Sequence, residues 1–227
     1  MAELARRLPA LGFDPLVLCR RRPAAPLELK QGLPLPVEIV PWLGLNSWCR
    51  AASFDWGARR RLSGRVRLVH GQGDLIRQDV LTVNNCDAAA AHYVPDGRRP
   101  SAGVRYIRKK QFAPGGCRIM VAISDRVRRD ISEFHGVPPE TIRRVYPGAD
   151  LERFHPSRRE AARIAFLKQT RWPEETAVVL MVLSGDPAKR NFSLAARAVA
   201  LLSQKRPAGL LLVGNVDWKE DEACLDL

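Results

Sequence analysis

Residues 118–148 read RIMVAISDRVRRDISEFHGVPPETIRRVYPG, and this stretch decides the fold class. The apolar run Arg118–Ile123 has the length and the branched residues of a buried strand. Ser124 stands where a helix N-cap belongs, and the helix predicted over Asp125–His135 is followed by a glycine that can stop it. A second strand is predicted over Thr141–Val145. This order of elements is typical of a parallel sheet that is covered by helices.

The same alternation of strand and helix continues on both sides of this stretch. Towards the N-terminus, helices are predicted from residue 1 to Leu11, over Asn46–Leu62 with Asn46 or Ser47 as N-cap, and over Ala88–His92. Strands are predicted there at four short runs: Pro15–Cys19, Val37–Val40, Val66–Val69 and Asp79–Val83. Towards the C-terminus, the predicted elements are Arg158–Thr170, Ala177–Leu183, Phe192–Leu202 and Gly209–Val213. We expect the strands between residues 37 and 145 to form one parallel sheet.

The pattern loosens between Asp150 and Pro156, where we place a linker between a domain at 1–150 and a second segment at 151–227. The second segment contains two predicted strands and one or two helices. A domain below about 40 to 60 residues buries too little surface to be stable without help. We therefore expect the sequence to be truncated at both ends.

The charge balance is strongly basic, since 37 Lys and Arg residues against 24 acidic ones give a net charge of +13. The basic segment Arg98–Arg129 contains ten basic residues and one acidic residue, Asp125. Three interpretations are open: an anionic membrane surface as partner, a nucleic acid stacked on Tyr106 and Phe112, or ordinary solvated faces.

Several classes of protein do not fit the composition. The five cysteines show no CxxC spacing and the four histidines no HxxxH or HExxH spacing, so neither a disulfide framework nor a metal site is predicted. No run of about 18 apolar residues could span a membrane. We expect a cytoplasmic protein that is soluble or peripheral at the inner leaflet.

Residues 121–156, VAISDRVRRDISEFHGVPPETIRRVYPGADLERFHP, resemble the interdomain section of glycosyltransferase family 4. The shared features are a strand ending in Ser, a helix with Arg and Asp, a Gly-Val-Pro turn, Pro-Gly-x-Asp and Phe-x-Pro. This resemblance implies a GT-B-like α/β fold, with a Rossmann-like acceptor-side domain at 1–150 and the start of a second Rossmann-like, donor-binding domain at 151–227. It also implies a retaining glycosyltransferase that uses a nucleotide-sugar and a glycan or lipid-linked acceptor, without metal or other cofactor.

Residues 183–192, LSGDPAKRNF, are similar to the loop with which that family holds the donor diphosphate. A lysine at a loop-to-helix junction can neutralise a diphosphate together with backbone N–H groups and the helix dipole. The resemblance assigns this role to Lys189, with help from Arg190 and from Ser184 and Gly185. Ser184 stands where the family commonly has an arginine. The alternative is that Lys189 and Arg190 simply begin a solvated helix face.

Asn84 and Asn85 follow the predicted strand Asp79–Val83, at a place where the family often has a histidine. An asparagine can hydrogen-bond a sugar hydroxyl but cannot take its proton, so the resemblance implies an acceptor-side role. An Asx turn that caps the next helix is an equally good interpretation.

Two further elements of the resemblance are not found in the sequence: the first strand with its Gly-rich loop, and a Glu-x7-Glu element between a strand and a helix. Glu152 and Glu160 have the spacing, but they lie in the linker and we reject them. No catalytic residue is therefore assigned, because the family's reaction is usually described as front-face attack assisted by the leaving phosphate. We expect these 227 residues alone to be inactive. The alternatives are a truncated product without catalytic function, or a basic protein that binds nucleic acid or anionic surfaces.

Overall fold

The computed structural model describes residues 2–23, 26–28, 32–93, 99–184 and 190–215. These residues form seven α-helices and eight strands, besides three short 3-10 helices. The helices are α1 (Ala2–Arg7), α2 (Ser47–Leu62), α3 (Asp87–Tyr93), α4 (Ala102–Gln111), α5 (Asp125–His135), α6 (Arg159–Thr170) and α7 (Phe192–Ser203). The strands are β1 (Val17–Cys19), β2 (Val37–Ile39), β3 (His70–Gly71), β4 (Gln78–Val83), β5 (Cys117–Ala122), β6 (Ile142–Arg144), β7 (Ala177–Ser184) and β8 (Ala208–Asn215).

Every ladder between these named strands is parallel. β3, β4, β5 and β6 form a four-stranded sheet in that order, in which Leu81 pairs with Met120 and Met120 pairs with Ile142. β1 pairs with β2. β7 pairs with β8 over eight residue pairs, of which the first joins Ala177 to Ala208 and the last joins Ser184 to Asn215. Parallel strands joined by helical crossovers confirm the α/β fold class.

The expectation of one sheet for the strands between residues 37 and 145 is wrong. Among the described residues, β2 pairs with β1 in a separate two-stranded sheet. Val66–Val69 is not a strand, and β3 is the two-residue strand that follows it. The Val69 N–H donates to Asp79 Oδ2 at 2.8 Å, so this amide is not available to a neighbouring strand.

The helix boundaries follow local signals in the sequence. Asn46 Oδ1 accepts the Cys49 N–H at 2.8 Å at the start of α2, and Ser124 Oγ accepts the Val127 N–H at 3.2 Å at the start of α5. Gly136, with φ of 67°, ends α5 in the left-handed conformation. These caps confirm the helices that the sequence predicts. Helix α4 is not predicted, although Ser101 caps it.

Two buried clusters fill the part of the chain that contains the four-stranded sheet. The larger one packs residues of β4, β5 and β6 against α5: Leu81, Val83, Met120, Ala122, Val127, Ile131, Val137 and Ile142. The smaller one packs the end of β2 against α2 and consists of Val40, Phe54, Ala58 and Leu75. The four-stranded sheet and its helices therefore pack around two apolar clusters, which hold the strand ends in place.

The chain divides into two compact units. The first comprises Met1–Asp87 with Pro100–Tyr146, and the second comprises Ala88–Arg99 with Pro147–Leu227. The domain boundary near residue 150 stays a prediction from sequence. In the second unit, the ring of Trp172 lies against Gly209 of β8, where a Cβ would stand 2.3 Å from the ring, so only glycine fits. None of the described helices is both long and apolar enough to cross a membrane.

Candidate functional site

The carboxyl ends of β3 and β4 bring two carboxamide side chains together. Gln72 follows β3 directly and Asn84 follows β4 directly. Asn84 Nδ2 donates to Gln72 Oε1 at 3.1 Å, and Asn84 is exposed. Ligands of parallel α/β sheets bind outside the carboxyl ends of the strands, so this amide pair lies where a polar substrate would be recognised.

Asn85 is oriented differently from Asn84. Its Nδ2 donates to Asp87 Oδ1, two residues ahead, at 3.1 Å. Asp87 begins α3, so the contact is local to the turn that enters this helix. The side chain of Asn85 is therefore engaged in the turn by a side-chain contact, which differs from an Asx turn, where the side-chain oxygen accepts a backbone N–H.

The loop between β3 and β4 is held by side chains of two helices. The Ile76 N–H donates to Oδ1 of the buried Asp55 on α2 at 2.7 Å, and Gln111 Nε2 on α4 donates to the Leu75 carbonyl at 2.5 Å. Asp55 is 1% exposed and Gln111 is fully buried. Because buried polar groups are costly to leave without partners, these bonds fix the loop and with it Gln72.

Arg108 supports the same loop from α4. Its Nε donates to Asp87 Oδ2 at 3.0 Å, and its Nη1 donates to Gln111 Oε1 at 2.9 Å. The guanidinium lies against Gly73, whose φ is 113° and where a Cβ would stand 2.6 Å from Arg108 Nη1. Glycine is therefore required at this position both for its backbone conformation and for space.

We expect Gly73→Ala to destabilise the protein by roughly 1–3 kcal/mol. An alanine would strain the backbone at this positive φ, and its methyl group would displace the Arg108 guanidinium, which two partners hold. Gly64→Ala is the matched control, since Gly64 has φ of 71° with nothing within 4 Å of its Cβ position. Urea unfolding of both variants measures the difference. Equal losses of stability would mean that Arg108 moves aside without cost.

Two titratable groups lie at the same edge of the sheet. His70 Nε2 lies 2.8 Å from Thr82 Oγ1, and burial lowers the pKa of His70, so the ring is uncharged at neutral pH. Past β5, Asp125 accepts a hydrogen bond from Arg144 Nη1 at 2.5 Å, and this bond holds the pKa of Asp125 below its usual value. The edge therefore presents amides, a neutral imidazole and a paired carboxylate.

The segment resembling a donor loop joins a strand to a helix in the second unit. β7 ends at Ser184, whose backbone pairs with Asn215 of β8, and α7 begins at Phe192. Arg190 is exposed just before α7. Gly185 and Lys189 lie outside the described residues. The segment between a strand and a helix N-terminus is the place where backbone N–H groups and the helix dipole can meet a phosphate.

The basic segment Arg98–Arg129 is distributed over α4, β5 and α5, and several of its cations have acidic partners. Arg108 pairs with Asp87 as above, Arg118 Nη1 lies 3.5 Å from Asp79 Oδ1, and Arg126 Nε lies 2.8 Å from Asp130 Oδ1. The segment is thus not one uniform surface. Arg98 lies outside the described residues.

The described residues contain no cluster of three or more His, Cys, Asp or Glu side chains that could hold a metal ion. Among the described residues, the cysteines form no disulfide: Cys19, Cys49, Cys86 and Cys117. Sequence reasoning did not assign Gln72 to the site. The sequence feature that indicates Gln72 is its position directly after β3, between two glycines.

Comparison with known proteins finds glycosyltransferases as relatives. D-inositol 3-phosphate glycosyltransferases of Mycobacterium tuberculosis (strain ATCC 25618 / H37Rv) and Mycobacterium bovis (strain BCG / Pasteur 1173P2) are 34% identical to this chain over 174 residues. The match covers 69% of this chain and 33% of each relative, so the aligned part is about a third of the relatives' length.

The solved structure of WaaG, a glycosyltransferase involved in lipopolysaccharide biosynthesis, has the same fold. The two superpose with a TM-score of 0.75 at 15% sequence identity, over 97% of this chain and 60% of WaaG. This confirms the GT-B-like architecture with its parallel sheets. The family model of Glycosyltransferase Family 4 matches residues 1–153, which is most of the chain. The chain therefore belongs to glycosyltransferase family 4.

Proposed function

We propose that this chain is the part of a retaining glycosyltransferase that binds a nucleotide-sugar donor through the loop Ser184–Arg190. One observation carries the proposal: in a chain of this family, a parallel strand and a helix flank a loop with two adjacent cations, Lys189 and Arg190. The diphosphate carries roughly two negative charges and gains more as the glycosidic bond breaks. A lysine near a helix N-terminus stabilises that charge most at the point of bond cleavage.

The proposed acceptor presents a hydroxyl group to the carboxyl ends of β3 and β4. Carboxamides donate and accept hydrogen bonds without taking up charge, so the pair formed by Gln72 and Asn84 suits a polyol or sugar ring. The curated relatives are named for an inositol phosphate, and WaaG is described by its part in lipopolysaccharide synthesis. We propose a glycan or lipid-linked acceptor of the cell envelope.

The proposed reaction needs no metal and no cofactor besides the nucleotide-sugar, which is a co-substrate. Neither amide can act as a base, so the acceptor proton passes to the leaving phosphate in a front-face attack that retains the anomeric configuration. The protein then contributes positioning and electrostatic stabilisation. A peripheral contact with the anionic cytoplasmic leaflet would bring the enzyme to a lipid-linked acceptor.

The experiment is a calorimetric titration of the 227-residue chain with nucleoside diphosphates of different bases. We expect weak binding of at least one of them, and loss of that binding in Lys189→Ala, because the diphosphate then lacks its main counter-charge. Lys168→Ala, on α6, is the matched control and should bind like the unaltered chain. Binding that survives Lys189→Ala would contradict the assignment of the loop.

A further inference from the structure

The carboxyl end of β1 carries three consecutive arginines. Arg20, Arg21 and Arg22 follow Cys19 directly, and all three are exposed. Residues 15–27 contain no acidic residue that could neutralise them locally. The end of this strand therefore carries a local excess of positive charge.

Two contacts fix the guanidinium of Arg20. Its Nη2 forms an ion pair with Oδ1 of Asp74, and its Cζ lies 5.1 Å from the centroid of the Phe54 ring. Phe54 is buried and belongs to the same cluster as Leu75, the residue after Asp74. The Arg20 side chain nevertheless stays 39% exposed. The structure thus presents a fixed cation to solvent.

Asp74 brings Arg20 to the amide pair at the carboxyl ends of β3 and β4. Asp74 lies on the same loop as Gln72, and the two residues directly after it are held by side chains of α2 and α4. Two steps along a chain span at most about 7 Å, so the Cα atoms of Gln72 and Asp74 are no further apart than that. The ion pair therefore places Arg20 within reach of a sugar-sized molecule that contacts Gln72 and Asn84.

The ion pair of Arg20 with Asp74 can be exchanged for another anion. The Asp74 side chain is 56% exposed, and ion pairs at such positions contribute little to stability because water and salt screen them. A guanidinium has five N–H donors in a planar fork that fits a phosphate or a carboxylate. An anionic ligand can therefore replace Asp74 at Arg20, or bind beside it, while the fold is kept.

We propose that Arg20 is a specificity-determining residue that binds a phosphate or carboxylate group of the acceptor, beside the hydroxyl groups that contact Gln72 and Asn84. The proposal rests on the acceptor edge in the proposed function, and it narrows the acceptor to a sugar or polyol that bears an anionic group. Arg108 is less suited to this role, since two of its nitrogens already donate to side-chain oxygens. The alternative is an ion pair that only joins β1 to the loop.

The test is a titration of the isotope-labelled 227-residue chain with glucose 6-phosphate, glucose and inorganic phosphate, followed by NMR. We expect glucose 6-phosphate to bind at least about fivefold more tightly than either of the other two probes, because it alone can contact both Arg20 and the amide pair. Arg20→Gln should lower the affinity for glucose 6-phosphate about tenfold, to that for glucose, since a charge-assisted hydrogen bond is lost.

Asp74→Asn separates ligand binding from a structural role. The change removes the carboxylate that competes for Arg20, so the affinity for glucose 6-phosphate should rise about threefold. An ion pair with a structural role only would instead be lost in both variants, and both would bind more weakly. Arg65→Gln is the matched control, because Arg65 forms an exposed ion pair with Glu38 at 2.7 Å, and it should bind like the unaltered chain. Thermal unfolding of each variant checks that the fold is kept.

Three results would overturn the inference. They are the absence of glucose 6-phosphate binding, equally tight binding of inorganic phosphate, and weaker binding in both Arg20→Gln and Asp74→Asn. The donor site is tested separately, because nucleoside diphosphate binding should be unchanged in Arg20→Gln. If nucleotides bind through Lys189 but Arg20→Gln binds glucose 6-phosphate normally, the donor proposal stands and this inference is wrong. If nucleotides bind independently of Lys189 while the two variants shift the sugar phosphate affinity in opposite directions, the donor proposal fails and this inference stands.

Discussion

The 227-residue polypeptide is expected to show no sugar transfer, with any nucleotide-sugar donor and any acceptor. In the proposed function, transfer requires several donors to stabilise the diphosphate charge as the glycosidic bond breaks. These 227 residues contain the loop with Lys189, and their Glu-x7-Glu pair, Glu152 and Glu160, lies in the linker. Loss of one oxyanion donor costs about 2.7–4 kcal/mol in the transition state, so we expect no measurable transfer if Lys189 acts without further donors.

The measurement is transfer and hydrolysis of radiolabelled nucleotide-sugars by the purified chain, with buffer as the blank and Lys189→Ala as the control. The expected rate equals the blank for both proteins. Turnover above the blank that disappears in Lys189→Ala would contradict this account, and it would mean that these 227 residues suffice for the reaction.

Leu81→Ala is expected to have the largest effect on stability. Leu81 lies in β4 at the centre of the larger buried cluster and is fully buried, with Met120 of β5 as its partner in register. Truncating a buried leucine removes transfer energy and leaves a cavity, at a cost of about 2.7–5 kcal/mol. This is a large fraction of the stability of an ordinary domain.

The matched control for Leu81→Ala is Leu68→Ala, the same change at a leucine that is 54% exposed. Urea unfolding, followed by circular dichroism, should show a large loss of stability for Leu81→Ala and a change below about 1 kcal/mol for Leu68→Ala. Similar losses in both variants would mean that the four-stranded sheet does not have the buried interior described above.

Much of the fold could be predicted because local signals and tertiary packing agree. α2 and α5 begin at their side-chain caps, and β4 to β8 lie within a residue or two of the apolar runs that predict them. The prediction of a strand at Val66–Val69 is wrong because composition alone favours a strand there. In the structure the Val69 N–H donates to the Asp79 carboxylate instead of to a neighbouring strand. Helix α4 is not predicted from the sequence, because its apolar face is short and basic residues outnumber apolar ones around it. That face is formed by Gly103 and Ile107.

The candidate site was predictable only in part. Asn84 could be placed at a strand end, because a parallel sheet exposes the residues that follow its strands. Its partner Gln72 lies 12 residues earlier, and the hydrogen bonds of Asp55 and Gln111 that fix its loop come from two separate helices. Such long-range contacts depend on tertiary packing, and one sequence without its fold contains no local signal for them.

The loop Ser184–Arg190 as donor site is the central claim, and photolabelling tests it most directly. The 227-residue chain would be irradiated with azido-substituted nucleoside diphosphates, digested, and mapped by mass spectrometry, with excess unmodified nucleotide as competitor. The account predicts that competed label is found in peptides from residues 184–215, and that Lys189→Ala removes it. Competed label confined to residues 1–146, unchanged in Lys189→Ala, would contradict the account.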